Sequence, residues 1–202
     1  MQERSSKESW FKTFFFFATT IALAYAFIFF RGSVRLIPAT KAEPATVLAL
    51  RTVDGEPFDL QAYAGQVVVL NAWTSWCGYC RREIPQLRRL DERYGDDELV
   101  VVGVNLESTE ELSDGDLVDL SEAWGIGYPV VRPLGELTGS FAFSGGIPHT
   151  WIVDRQGRVR VSHSGQPSPG SLQRICQRLL AESPASATAT GATSRAITSS
   201  QR

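Results

Sequence analysis

Apolar residues are spread unevenly along this chain. From Phe14 to Phe30 the sequence FFFFATTIALAYAFIFF carries no charge. At roughly seventeen residues it lies at the short end of what spans a bilayer, and Lys12 just before it can snorkel. A stretch apolar on every face, at a chain end and without an amphipathic period, does not suit a packed core helix. It predicts a transmembrane anchor over 13–30, preceded by a short N-terminus at 1–12. Ala24-Tyr25-Ala26 also resembles a signal-peptide cleavage site. Cleavage there would leave Phe27-Ile28-Phe29-Phe30 as an apolar terminus, so the uncleaved anchor is the expectation. Arg4, Lys7 and Lys12 before the segment balance Arg31, Arg35 and Lys41 after it. The positive-inside comparison is therefore tied.

Past a mixed, proline-containing spacer at 31–43, the pattern becomes that of a globular domain over 44–182. Thr46–Arg51 and Phe58-Asp59-Leu60 around Asp54-Gly55 suggest a hairpin. Val67-Val68-Val69-Leu70 and Leu99–Val104 are continuous apolar runs, as in strands buried on both faces. Between them, Ile84, Leu87 and Tyr94 recur at helical spacing, which predicts a helix over Tyr79–Tyr94. Strand, helix, strand at this spacing is a βαβ unit with parallel strands, hence an α/β fold. Glu107–Trp124 reads as a helix after an irregular start, Tyr128–Val131 as a strand and Leu134–Phe143 as a short helix. Thr150–Val153 and Arg158–Ser162 form a hairpin around Asp154-Arg155-Gln156-Gly157. Ser171–Ala181 is a closing amphipathic helix. Residues 183–202 are rich in Ser, Thr and Ala with no apolar run, which predicts a disordered tail.

Composition removes several classes of function. The net charge of −2 lacks the basic excess of a nucleic-acid binder. Three cysteines, Cys77, Cys80 and Cys176, are too few for a disulfide scaffold. With only His149 and His163 beside them, they do not make paired zinc clusters, so no metal and no cofactor is expected. Neither histidine has clustered partners, which predicts surface or loop roles. Cys176 lies on the apolar side of the last helix with Leu172, Ile175 and Leu179, as a small hydrophobe would.

The chemistry gathers at Trp76-Cys77-Gly78-Tyr79-Cys80. This pair follows a buried strand and opens a helix. There, unpaired N–H groups and the helix dipole favour a thiolate at Cys77, and Cys80 stands one turn on. Cys77 would attack a disulfide and Cys80 would resolve the mixed disulfide. Two packed thiols or half of a metal site would share the spacing but not this placement.

The run Val68-Val69-Leu70-Asn71-Ala72-Trp73-Thr74-Ser75-Trp76-Cys77-Gly78-Tyr79-Cys80-Arg81-Arg82-Glu83-Ile84-Pro85 resembles the thioredoxin-like TlpA/ResA group. These are membrane-tethered thiol–disulfide reductases, several serving cytochrome c maturation. Gly146-Ile147-Pro148-His149-Thr150 is similar to that group's cis-proline loop, and Trp151–Val159 to its closing hairpin. The resemblance runs from about Thr46 to Ala181. It implies a thioredoxin-like fold, a central mixed sheet flanked by helices. It implies a cis bond before Pro148, although the residues alone leave an ordinary trans turn open. Trp76, Ile147 and Pro148 would then meet the substrate, with Trp73 and Trp76 packed beside the site. Pro85 matches the proline of the active-site helix, in a structural role.

Glu83 shares a helix face with Cys80, three residues on. Thioredoxin itself carries a buried aspartate at the position of Asn71, and an amide cannot take a proton. The resemblance therefore assigns proton transfer at Cys80 to Glu83, with burial raising its pKa. A solvated helix glutamate is the bland alternative. The partners implied are disulfide-containing client proteins and a membrane electron donor for the dithiol. The location implied is the cell inner membrane, single-pass, with the domain in the periplasm.

Other functions are less well served by these residues. A peroxidase of the peroxiredoxin type shares Thr74-x-x-Cys77, but Leu70 stands where such an enzyme carries a proline. A copper chaperone would want CxxxC. A non-catalytic thioredoxin-fold binding module and a disulfide-forming oxidant remain as alternatives. The dithiols of this fold span about −270 to −120 mV, so fold alone does not set the direction of electron flow.

Overall fold

A computed structural model of the chain describes residues 12–25, 34–95, 98–142 and 145–182. The first of these segments is a helix, α1, over 12–25, with every residue exposed. Among the described residues no helix is long and apolar enough to cross a membrane. Residues 26–30 of the expected anchor, and the tail expected at 183–202, lie outside the described residues.

The β-branched run from Val67 forms strand β4, Val67–Trp73, buried along its whole length. Three short strands precede it: β1, Glu43–Pro44, β2, Leu50–Thr52, and β3, Pro57–Phe58. After it come helix α2, Gly78–Tyr94, and strand β5, Leu99–Asn105, which pairs parallel to β4 in register Val67↔Leu99. The expected βαβ unit is thus present. Helix α3, Asp114–Ala123, leads to β6, Val130–Pro133, also parallel to β5. Strands β7, His149–Val153, and β8, Arg158–Ser164, form the closing hairpin, and helix α4, Ser171–Ala181, ends the domain. The eight strands lie in the order β1-β8-β7-β4-β5-β6-β2-β3. β7 runs antiparallel to β4, so the sheet is mixed and flanked by helices, as the resemblance implied.

Alternate residues of β4 serve two cores. Val67 and Val69 pack with Leu87 and Leu90 of α2 and with Leu172, Cys176 and Leu179 of α4. Val68, Leu70 and Ala72 pack on the other face with Trp151, Phe141 and Leu50. Asn71 and Trp73 continue the first parity, so both face α2 at the end of the sheet where the site lies.

Four expectations change. The helix read over Glu107–Trp124 occupies only Asp114–Ala123, capped by Ser113, whose Oγ accepts from the Asp116 N–H at 3.1 Å. The short helix at 134–143 is a single tight turn at Gly139–Phe141 that buries Phe141, with Leu134 exposed. The first hairpin arm is shorter than expected, with residues 45–49 outside any strand. The spacer is not free: Val34 and Leu36 pack on the α4 side of the core. Ile37 donates its N–H to the Arg160 carbonyl at 2.7 Å, and Glu43–Pro44 pairs with β8. The cause is Arg160, a buried cation that needs acceptors. It finds them in the Ile37 carbonyl at 2.7 Å, Asp154 and Glu182.

Candidate active site

The site forms where β4 gives way to α2. The turn is closed by the Cys77 N–H donating to the Thr74 carbonyl at 3.3 Å. Cys77 stands at the N-cap of α2, and its sulfur accepts from the Cys80 N–H at 3.1 Å. Cys77 and Cys80 are joined as a disulfide. Cys77 keeps 6 % of its surface and Cys80 none, so an approaching molecule reaches Cys77 first. Beside them Trp76 and Tyr79 project into solvent, 72 % and 60 % exposed. Trp76 therefore does not pack beside the site as Trp73 does. Trp73 is buried against Trp124, ring centroids 5.5 Å apart. A Cβ on Gly103 would lie 3.0 Å from its indole Nε1 and 3.2 Å from Tyr128 Cε2, so the ring needs a glycine beneath it.

The Ile147–Pro148 peptide bond is cis. Ile147 packs in one cluster with Cys77, Cys80, Trp73 and Leu117. The Pro148 carbonyl accepts from the Gly165 N–H at 2.7 Å, which ties the loop to the end of β8. Pro85 lies within α2, exposed.

Glu83 is 1 % exposed, on the same inner face of α2 as Cys80. Its Oε1 accepts from the Thr150 hydroxyl at 3.0 Å, and that hydroxyl accepts from the Asn71 amide at 3.0 Å. Its Oε2 is buried without a hydrogen-bond partner. Burial raises the Glu83 pKa to about 7, and the Thr150 hydrogen bond, with the Asn71 amide close behind it, offsets only part of that. The solvated alternative for this residue does not hold. A carboxyl half-protonated near neutral pH, one turn from Cys80, can both take and return a proton.

A second carboxylate holds the turn from the other side. Glu107 follows β5, and its Oε2 accepts from the Ser75 N–H at 2.7 Å and the Asn105 amide at 3.0 Å. Its Oε1 accepts from the Ser75 hydroxyl at 2.6 Å. The buried Arg132 guanidinium donates to Asn105 Oδ1 at 2.8 Å, to the Glu107 carbonyl and to Asp114 at 2.8 Å. Burial alone would raise the Glu107 pKa. The donors on Ser75 and Asn105, with the charge of Arg132, hold it below the usual carboxylate range. Sequence reasoning missed Glu107, Asn105 and Arg132, and gave Thr150 no role. The available signal was Asn105-x-Glu107, polar residues closing an apolar strand at the end of the sheet that carries the cysteines.

The histidines differ from expectation. His149 is buried on β7, its ring 4.2 Å from that of Trp151. Its Nδ1 lies 2.7 Å from Ser164 Oγ and its Nε2 2.9 Å from Ser162 Oγ. Burial, with His163 nearby, pushes its pKa down to about 4. It is a neutral structural residue at neutral pH. Burial pushes the Cys176 thiol up to about 12, which suits a packed hydrophobe and not a third redox centre. Leu70, the peroxidase-discriminating position, is an ordinary buried strand residue.

A cysteine pair at a strand-to-helix junction, set against a cis-proline loop on a mixed sheet, defines a thiol–disulfide oxidoreductase of the thioredoxin family. The chain belongs to the AhpC/TSA family, whose profile matches residues 41–162. It is 30 % identical over 125 residues to the thioredoxin-like protein YneN of Bacillus subtilis, covering 62 % of this chain and 72 % of that one. With the thiol-disulfide oxidoreductase ResA of Halalkalibacterium halodurans it shares 26 % identity over 160 residues, 79 % of this chain and 88 % of the other. Among solved structures it is similar to a thiol:disulfide interchange protein from Chlorobium tepidum. The TM-score is 0.58 at 25 % identity, covering 69 % of this chain and 97 % of that one.

Proposed function

We propose that this protein reduces disulfides in extracytoplasmic client proteins through the Cys77/Cys80 dithiol. The observation that carries the reading is the pairing of Cys77, which keeps a small exposed surface, with a fully enclosed Cys80 one helical turn from a carboxyl whose pKa lies near 7. In the reduced protein the Cys77 thiolate attacks a client disulfide. One client sulfur bonds to Cys77 and the other leaves as a thiolate. Glu83 then takes the Cys80 proton. The Cys80 thiolate attacks Cys77, expels the second client thiolate, and closes the Cys77–Cys80 disulfide. Two electrons have passed to the client, and a membrane electron donor returns them to the dithiol. Trp76, Ile147 and Pro148 form the surface on which the client lies. Glu107 holds Ser75, and so the turn that presents Cys77.

Residues 13–30 act as the single-pass anchor in the inner membrane, with the domain in the periplasm. The resemblance to the TlpA/ResA group supports this, and also supports a part in cytochrome c maturation. Protease added to spheroplasts should digest the domain, whereas protection would place it in the cytoplasm.

The catalytic test uses insulin reduction with dithiothreitol as donor, together with two variants. Cys80→Ser should trap clients as mixed disulfides on Cys77, and Cys77→Ser should trap none. A folded protein no faster than the uncatalysed control would leave only a binding module. Clients trapped solely on Cys80 would reverse the two roles. A potential measured against glutathione separates reductant from oxidant.

A further inference from the structure

The outer face of α2 plays no part in the chemistry above. Arg81, Arg82, Arg88, Arg89 and Arg93 are all exposed, and at 100° per residue they fall within an arc of about 140°. Among the described residues only Arg88 meets a carboxylate, Glu92, at 3.3 Å. Arg82 instead lies over the exposed Tyr79 ring at 4.4 Å, and Arg81 over Trp124 at 5.5 Å. This basic face is conspicuous in a chain of net charge −2. Its counterpart begins beyond Trp124. From Glu107 to Glu122 there is no Lys or Arg, and Glu110, Glu111, Asp116, Asp119 and Glu122 are exposed. Leu117 of α3 packs in one cluster with Cys77 and Cys80, and Trp124, under Arg81, packs against it.

We propose that the protein partner exchanging disulfides at Cys77 lays an acidic segment on the arginine face of α2, and is turned to do so by repulsion from the α3 side. The inference rests on the oxidoreductase reading and adds the chemistry and polarity of the client. Continuity decides the occupant: Arg81 and Arg82 directly follow Cys80, and Arg82 lies over the exposed ring of Tyr79, between the two cysteines in sequence. Whatever covers those arginines therefore lies against the reacting bond, which favours a redox client over a lipid surface. Planar guanidinium groups suit carboxylates two hydrogen bonds at a time.

The test uses the reduced full chain and three peptides with the same disulfide ring, flanked by Glu, by Lys or by neutral residues. Second-order reduction rates are compared at low and high salt. The Glu peptide should react roughly three- to tenfold faster than the Lys peptide at low salt, with the gap closing at high salt. Arg81→Glu with Arg82→Glu should invert the order, and Arg81→Gln with Arg82→Gln should erase it. Equal rates, or a preference that survives both double variants, overturns the proposal. So does binding to anionic vesicles that the variants abolish without any peptide preference, which would give the face to a membrane. The neutral peptide separates the two levels. If the unaltered protein reduces it, the dithiol chemistry stands whatever the charges do. If it does not, the oxidoreductase reading falls, and this inference with it.

Discussion

Glu83 and Glu107 are both buried, both close to the cysteines, and held in opposite ways. Glu83 has one hydrogen-bond donor on one oxygen and an unpartnered second oxygen, and its pKa rises to about 7. Glu107 receives three donors and faces a buried guanidinium, and its pKa falls below the usual range. Burial penalises charge in both. Glu83 lies deeper, and at Glu107 three donors and the charge of Arg132 overcome the penalty. One carboxyl is left poised to move a proton, and the other is fixed as an anion that shapes a loop.

Replacement of the fixed anion should cost most. Glu107→Ala strips the Ser75 N–H and hydroxyl and the Asn105 amide of their acceptor, while Arg132 keeps its ion pair with Asp114. Urea denaturation at pH 7 should show a loss of about 3 kcal/mol, from buried donors left without an acceptor. A loss under 1 kcal/mol would mean that the clamp contributes little and the contrast is one of appearance.

The poised carboxyl should show in rate. Glu83→Gln keeps the shape and removes the proton acceptor. It should slow resolution of the mixed disulfide about a hundredfold, with the initial attack by Cys77 unaffected. Stopped-flow measurement of the two steps separates them, and an unchanged resolution rate would remove Glu83 from the mechanism.

Stability against pH sharpens the contrast through its sign. The folded protein keeps the Glu83 proton between the ordinary carboxylate value of 4.5 and about 7, where the unfolded chain has lost it. Stability therefore falls as pH rises through that window and stays reduced above it. Glu83→Gln should abolish a fall of about 3 kcal/mol between pH 4 and pH 8. Glu107, whose pKa is lowered, contributes stability above the ordinary range and loses it as pH drops. Parallel pH titrations of the two Gln variants should thus diverge at opposite ends of the scale.

The smallest effect belongs to Thr150→Val. Removing the one donor to Glu83 should move the pH at which resolution reaches half its maximum upward, by up to about one unit. A downward shift would mean that Thr150 does not stabilise the carboxylate.

The elements that the sequence made legible were those whose pattern is local. The buried runs at Val67 and Leu99 and the apolar spacing between them announced β4, β5 and α2 without any distant partner. The cysteine pair was readable because its meaning depends on the junction that it occupies. Glu83 was visible through its spacing from Cys80, but its burial depends on Asn71 and Thr150 across the sheet. Glu107 escaped notice because it answers Ser75, a residue 32 positions away. Acidic residues through Ser108–Leu112 look helical by composition, yet the clamp and the Ser113 cap hold that stretch out of the helix. His149 looked like a loop residue because nothing in its neighbourhood foretells Ser162 and Ser164 on the next strand.

The docked stretch from Val34 to Pro44 bears on how this sheet behaves toward copies of itself. An open strand edge is a template on which another molecule's strand can pair, and long sheets are prone to such growth. Here both outermost strands, β1 and β3, are two residues long and each contains a proline, which cannot donate to an incoming neighbour. The chain before the domain is thus the cap on one margin. A version of the protein cut just after Pro44 would keep every residue of the dithiol site and still bare the edge of β8 at Arg158–Arg160. Such a version should polymerise edge to edge at concentrations where a version beginning at Val34 stays dispersed.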